Sequence, residues 1–155
     1  MLTKHGVYLL EYNMRFGNPE TQAILPLLES DLLTIIEATV AKKLVDFQLN
    51  WRLGASCCIV LAAKGYPQQP ETGIPLRGLT EFVHQDCYLF MDGVATDAQQ
   101  LVTSGGRVLN VVAIGHTLDE ARHKAYTALK TVNFVGNYYR NDIGRVIAEK
   151  YHYQD

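Results

Sequence analysis

No apolar run in this 155-residue chain approaches the ~20 residues that a membrane-crossing helix needs. The first residues also lack the charged-then-apolar order of a secretory signal, so the cytoplasm is the expected location. Neither sign of charge is in excess: 14 Lys and Arg stand against 16 Asp and Glu, leaving a net charge of −2. That balance offers no basic stripe for nucleic acid and no Lys/Arg-rich amphipathic helix for a membrane surface. Cysteine is scarce, with Cys57 and Cys58 adjacent and Cys87 far off, a spacing that fits neither a disulfide framework nor a CxxC metal site. Free thiols are expected, with Cys57 and Cys58 on opposite faces of a strand. His5, His84, His116, His123 and His152 show no tight ligand spacing. No internal repeat or low-complexity tract interrupts the chain.

What remains is an ordinary globular composition, 48% hydrophobic and 19% charged. A chain of this length buries ~70% of its unfolded surface and needs no metal or disulfide to fold. One to two compact units are expected.

The segment Gly6 to Asn13 is rich in β-branched and aromatic residues and predicts a strand. No other good strand follows until about residue 54, which suggests that the sequence enters in the middle of a sheet. Helical spacing then takes over, first from Pro19 to about Leu28 and next from Asp31 to Leu44, with Ser30 as the expected cap. Leu33, Ile36, Val40 and Leu44 recur at three- and four-residue steps and predict one buried face.

From Gly54 onward the pattern turns to strands, at Ala55–Ala62, Cys87–Met91, Gln99–Thr103 and Arg107–Ile114. Three prolines and three glycines make Gly65 to Gly78 an irregular loop, and Ser104-Gly105-Gly106 between two apolar runs predicts a tight hairpin turn. A mostly antiparallel sheet follows. Thr117-Leu118-Asp119-Glu120 is a capping box that opens a helix whose Leu118, Ala121, Ala125, Leu129 and Val132 face inward, leaving Arg122, His123 and Lys124 mostly wet. A last helix is expected at about Ile143 to Tyr151.

Side chains alternate along a strand, so Glu11, Asn13 and Arg15 project from one side if the extended conformation persists. A carboxylate and an amide oxygen are hard donors suited to Mg²⁺, which takes a few protein oxygens and completes its shell with water and phosphate oxygens. A guanidinium one step further along can grip a phosphoryl group or a carboxylate in bidentate fashion. Alone, such a pattern at a strand end more often marks a solvated edge.

The neighbouring residues add specificity. Glu11-Tyr12-Asn13-Met14-Arg15-Phe16-Gly17-Asn18-Pro19-Glu20-Thr21-Gln22 resembles the Glu-x-Asn-x-Arg-Phe-Gly-Asp-Pro-Glu-x-Gln motif of phosphoribosylamine–glycine ligases, a branch of the ATP-grasp superfamily. The resemblance continues through Leu25 to Leu32, Gly105 to Leu109 and Tyr138 to Gly144, nearly the whole chain. It implies an α+β fold: the end of an ATP-grasp lobe, a strand plus two helices in residues 1–48, then a small C-terminal domain of antiparallel sheet with helices in residues 49–155. The implied activity is ATP-dependent joining of glycine to 5-phosphoribosylamine, giving glycinamide ribonucleotide, ADP and phosphate in purine biosynthesis.

On this resemblance Glu11 and Asn13 are metal ligands for Mg²⁺ or Mn²⁺, and Arg15 is the catalytic cation. Asn18 and Glu20 are candidate substrate contacts. The family usually carries Asp at position 18. The bland account of Asn18 is a helix cap, with Pro19 first in the helix and Glu20 near the positive end of its dipole, and on that account exchanging Asn18 for Asp should be mild. Arg107 and Arg140 with Asp142 fall in family-like segments but suit structural ion pairs equally well. No lysine-bearing or Gly-rich phosphate cradle precedes Gly6, so the isolated chain is expected to be inactive without the N-terminal and ATP-grasp parts of such a ligase. The alternative is a free-standing, non-catalytic interaction or dimerisation domain derived from one.

Overall fold

The computed structural model describes residues 1–145. In chain order the elements are β1 (Leu2–Thr3), β2 (Gly6–Val7), α1 (Glu20–Ile24), α2 (Leu32–Val40), β3 (Ala55–Ala62), β4 (Cys87–Met91), β5 (Val94–Asp97), β6 (Gln100–Thr103), β7 (Arg107–Gly115) and α3 (Leu118–Leu129). Short 3-10 turns cover Leu25–Leu27 and Leu44–Asp46. This is an α+β fold.

The centre is β7, whose residues from Val108 to Gly115 are all buried. It lies between β3 and β4 in an antiparallel sheet of order β3-β7-β4. The register sets Cys57 and Cys87 beside Ala113, Ile59 and Leu89 beside Val111, and Leu61 and Met91 beside Leu109. Because strand side chains alternate, these rows share one face. That face carries the core, against Ala121, Ala125, Ala128 and Leu129 of α3. Alanine at three of these four helix positions lets the helix backbone approach the sheet closely. Truncating Leu129 to Ala would cost about 2–5 kcal/mol by leaving a cavity. The opposite face of the sheet receives α1, where the Ser56 hydroxyl donates to the Ala23 carbonyl at 2.5 Å. Cys57 is buried and Cys58 half-buried, consistent with their alternate directions, and all three cysteines are free.

Several sequence expectations are corrected. The strand expected over Gly6 to Asn13 is limited to Gly6–Val7, paired with Leu2–Thr3, and Tyr8 to Met14 are irregular. A strand is stabilised by neighbours that bond its amides and carbonyls; Tyr8 still bonds Met1, and none of the described residues runs beside Leu9 to Met14. The second helix is capped by Asp31, whose carboxylate accepts from the Thr34 amide at 2.8 Å, while the Ser30 hydroxyl accepts from the Asn50 amide instead. That helix ends at Val40, and its apolar stripe is not buried: Leu33, Ile36, Val40 and Leu44 are all exposed.

The Ser104–Gly106 hairpin also does not form. β6 pairs with β5, whereas β7 pairs with β3 and β4, so these glycines cross between two sheets. Both are in close contact: a Cβ on Gly93 would meet Gly105 Cα and the Arg107 carbonyl at 2.7 Å, and a Cβ on Gly106 would run into the Tyr66 ring. The true β5–β6 turn is Ala98-Gln99, both with left-handed φ (43° and 67°). The helix after Thr117 forms as expected, with its hydroxyl accepting from the Glu120 amide at 3.2 Å, although Glu120 reaches back to the amide of His116 rather than Thr117. The last expected helix lies almost wholly outside the described residues, and Ile143–Gly144 form a turn.

Candidate functional site

Glu11 and Asn13 lie on the irregular segment that leads into α1, both exposed. Their side chains meet: the Asn13 amide donates to Glu11 Oε1 at 3.1 Å. A half-turn of the Asn13 amide would put its oxygen in the place of its nitrogen, and two adjacent ligands of an octahedral Mg²⁺ at 2.0–2.1 Å stand about 2.9 Å apart. That spacing is the one two adjacent ligands of a single hard cation take. Among the described residues no group of three or more His, Cys, Asp or Glu could hold a metal.

The turn that follows is closed by short local bonds. The Thr21 amide and hydroxyl both reach the Gly17 carbonyl, at 2.9 and 2.7 Å, and Glu20 Oε2 accepts from the Gly17 amide at 2.8 Å. Any side chain at position 17 would displace that carboxylate, since a Cβ there would stand 2.6 Å from Glu20 Oε2. Glu20 thus serves to close the turn.

Asn18 does not cap the helix. The residue before Glu20 is Pro19, which makes no side-chain cap bond, so Pro19 is not first in the helix either. The Asn18 amide turns to the sheet, donating to Asp92 Oδ2 at 2.7 Å, and its Oδ1 accepts from Gln22 at 3.1 Å. Arg107, at the start of β7, donates to the Asn18 carbonyl at 2.7 Å and holds its Nε 3.9 Å from Asp92. The motif turn is therefore fastened to the C-terminal sheet by three side chains. Sequence reasoning noted Arg107 through its Gly-Gly-Arg segment and missed Asp92, which nothing in its local pattern marks.

Two adjoining cavities flank this turn. One, of about 570 Å³, is lined by Asn13, Arg15, Gly17, Asn18, Glu20 and Arg107. The other, of about 700 Å³, is largely apolar, with Phe16, Leu25, Pro26, Tyr88, Phe90 and Met91. Glu11 sits beyond the rim of the first.

Displaced ionisation marks the far end of the sheet. There Arg52 bonds Asp86 at 2.7 Å and holds its carboxyl below the usual range, and Glu120, 2.8 Å from Lys124, raises that amine. Burial pushes the Cys58 thiol up to about 12, which makes it an inert thiol at neutral pH.

The family model of the phosphoribosylglycinamide synthetase C domain matches residues 56–146. Phosphoribosylamine–glycine ligase from Clostridium acetobutylicum is 48% identical over 145 residues, 94% of this chain and 34% of that protein. The enzyme of the same name from Caldanaerobacter subterraneus is 46% identical, covering 92% of this chain and 34% of its own length. The crystal structure of phosphoribosylamine–glycine ligase from Thermotoga maritima superposes with a TM-score of 0.70 at 37% identity, over 92% of this chain and 35% of that one. The chain spans about a third of the length of the relatives it matches.

Proposed function

Because the chain belongs to the phosphoribosylglycinamide synthetase C-domain family, we propose that it is the C-terminal part of an ATP-dependent ligase that joins glycine to 5-phosphoribosylamine. The products are glycinamide ribonucleotide, ADP and phosphate. In this reading residues 1–48 close an ATP-grasp lobe, residues 49–155 form the C-terminal domain, and the enzyme works in the cytoplasm. The lobe that would cradle ATP belongs to the part of such ligases outside this chain, and the chain alone is inactive.

The reaction passes the γ-phosphoryl of ATP to the glycine carboxylate; the phosphoribosylamine nitrogen then attacks the acyl carbon, phosphate departs, and the amine loses a proton. Protein groups contribute mainly positioning and neutralisation of phosphate charge. Glu11 and Asn13 would hold Mg²⁺ or Mn²⁺, which supplies charge neutralisation at the phosphate oxygens. Arg15, one step along and lining the polar cavity, orients the transferred group or the carboxylate through its fork of donors. The observation that carries this reading is the meeting of Glu11 and Asn13 side chains at 3.1 Å beside that cavity.

The test is reconstitution. Fused in frame to the N-terminal two-thirds of the Clostridium acetobutylicum ligase, the chain should restore formation of glycinamide ribonucleotide and ADP, dependent on both glycine and magnesium. A folded fusion that releases no product would overturn the reading. The exposed stripe of Leu33, Ile36 and Val40 favours a second reading, a non-catalytic interaction or dimerisation domain. That reading predicts a tight homodimer of the free chain and no activity in the fusion.

A further inference from the structure

We infer that the largely apolar cavity shared by the motif turn, α1 and β4 is a binding site for an adenine base, held by the Gln22 side-chain amide among Phe16, Tyr88 and Phe90. The inference rests on the ligase reading only for its biological sense, since purine nucleotides are what the proposed route leads to. The lobe that would cradle the consumed ATP lies outside this chain, so the base belongs to a second nucleotide or nucleoside.

No side chain lining this cavity of about 700 Å³ is charged, which suits a neutral occupant rather than a carboxylate or a phosphate. Three of its walls are aromatic. The Tyr88 and Phe90 rings lie 17° from parallel with centroids 6.3 Å apart, and Phe16 faces the same space. Phe16 is the one of the three outside helix and strand, so it is the wall that can turn aside to admit a flat ring. Aromatic walls of this kind stack against a nucleobase.

One oxygen selects the base. Gln22 Oε1 is shut off from solvent and has no hydrogen-bond partner among the described residues. Its neighbours force that atom to be the oxygen. The Asp92 carboxylate only accepts, so Asn18 turns its Nδ2 to it at 2.7 Å; Asn18 Oδ1 then takes Gln22 Nε2 at 3.1 Å, and Oε1 is left over. A ligand must therefore bring an N–H. Gln22 Nε2 keeps a second hydrogen, and an amide that both accepts and donates matches adenine at its N6 amine and N7. Asn110 adds a second amide. It pairs with Phe90 in the β4–β7 register, so its side chain leaves β7 on the same face as that wall, fully buried and with neither amide atom partnered. A buried amide without partners destabilises the fold, where an apolar residue would not. Its place beside Phe90 gives it a use, completing the polar edge that a bound base meets.

Titration of the ¹⁵N-labelled chain with adenosine, without magnesium, reads the site through the side-chain amide signals of Gln22 and Asn110 themselves. Both should shift and saturate in the millimolar range or below. Purine riboside, which lacks the amine, should bind roughly fivefold more weakly, and ribose 5-phosphate, which lacks the base, should leave both signals in place. AMP and magnesium ATP should bind as adenosine does, because only the base is held. Gln22→Leu should weaken adenosine binding by roughly fivefold or more. Asn110→Val removes the unpaired amide, so this variant should melt no lower than the parent and still bind adenosine more weakly by a similar factor, which separates loss of binding from loss of fold.

Absence of saturable shifts in these two signals, equal affinity for purine riboside, or unchanged affinity in the two variants would overturn the inference. Binding that appears only with ATP and magnesium would assign the cavity to the consumed nucleotide and overturn the claim of a second one. Loss of adenosine binding in the folded fusion to the N-terminal two-thirds of the Clostridium acetobutylicum ligase would overturn it as well, since the rest of the enzyme would then cover the cavity. The same fusion keeps the two readings apart. Product formed with no adenosine bound leaves the ligase and removes the base site; adenosine bound with no product formed leaves the base site and removes the ligase.

Discussion

Asn18 donates its side-chain amide to Asp92 Oδ2 at 2.7 Å, across 74 positions of sequence. The bond joins the motif turn before α1 to the end of β4 and changes what an acidic residue at position 18 would do. Both Asn18 Oδ1 and its carbonyl are also engaged, by Gln22 and Arg107, so the residue is fixed from three directions.

The first prediction concerns that bond. Asn18→Asp would set a carboxylate against Asp92 where a donor now stands, so the exchange should not be mild. We expect a loss of ~1 kcal/mol, roughly 3 °C in melting temperature. Adding Asp92→Asn should return most of it, since the amide then sits on the other side of the same bond. Calorimetry on the two variants decides: an unchanged melting point in Asn18→Asp, or a double variant no better than the single, removes the argument.

Much of the fold was legible because it is written in local rules. The strands Ala55–Ala62 and Cys87–Met91 and the Thr117 cap follow from apolar runs and a four-residue capping pattern. Errors arose where distant chain decided. Gly105 and Gly106 resemble a hairpin turn, yet Gly105 is glycine because Gly93 packs against it, a contact no window of sequence contains. The Ala98-Gln99 turn adopts left-handed backbone without glycine and so gives no turn signal. Leu33, Ile36 and Val40 have the spacing of a buried face, and spacing cannot tell whether a partner surface is present. The site divides in the same way: Glu11, Asn13 and Arg15 sit in one contiguous motif, whereas Asp92 joins it only through the fold.

The glycine contact gives a second prediction. Gly93→Ala should destabilise by about 1–3 kcal/mol, because the added methyl meets backbone atoms of Gly105 and Arg107 that cannot rotate away. The denaturant midpoint should fall with an unchanged slope. A midpoint equal to that of the parent chain would show that this crossing accommodates a side chain.

A third prediction follows from the ion network at the far end of the sheet. Asp86 is held below its ordinary range first by the Arg52 hydrogen bond and then by charge from Arg52 and Lys124. A carboxyl lowered in the folded state stabilises fully above its unfolded value near 3.8, and the contribution is lost as pH falls below that value through the folded one. Melting temperatures should therefore drop on acidification from pH 5 to pH 2, and Asp86→Asn should melt lower at pH 6 with a shallower acid dependence. Parallel curves for the two proteins would exclude Asp86 as a contributor.

The irregular segment before α1 yields a fourth. Leu9 to Met14 have no ladder partners among the described residues and expose Leu9, Leu10, Tyr12 and Met14. In monomeric chain their amides should exchange within seconds, while Val108 to Ile114 in β7 should persist for hours. Protection of Leu9 to Met14 that grows with protein concentration would mean that copies pair through this open segment. Strong protection at a concentration where the chain is monomeric would contradict the placement of these residues.

The last prediction returns to Glu11 and Asn13. In a full-length ligase carrying this segment, Glu11→Gln and Asn13→Ala should each lower turnover by two or more orders of magnitude, corresponding to ~3 kcal/mol of lost charge neutralisation at phosphoryl transfer. Folding should be intact, because both side chains are exposed and bond only each other among the described residues. Manganese affinity, measured by paramagnetic relaxation on the same variants, supplies a readout independent of turnover and should fall at least tenfold. The two measurements must move together for the pair to be metal ligands. Turnover lost at unchanged manganese affinity would make Glu11 a positioning group for Asn13; normal turnover and normal magnesium dependence in Glu11→Gln would remove the metal assignment altogether.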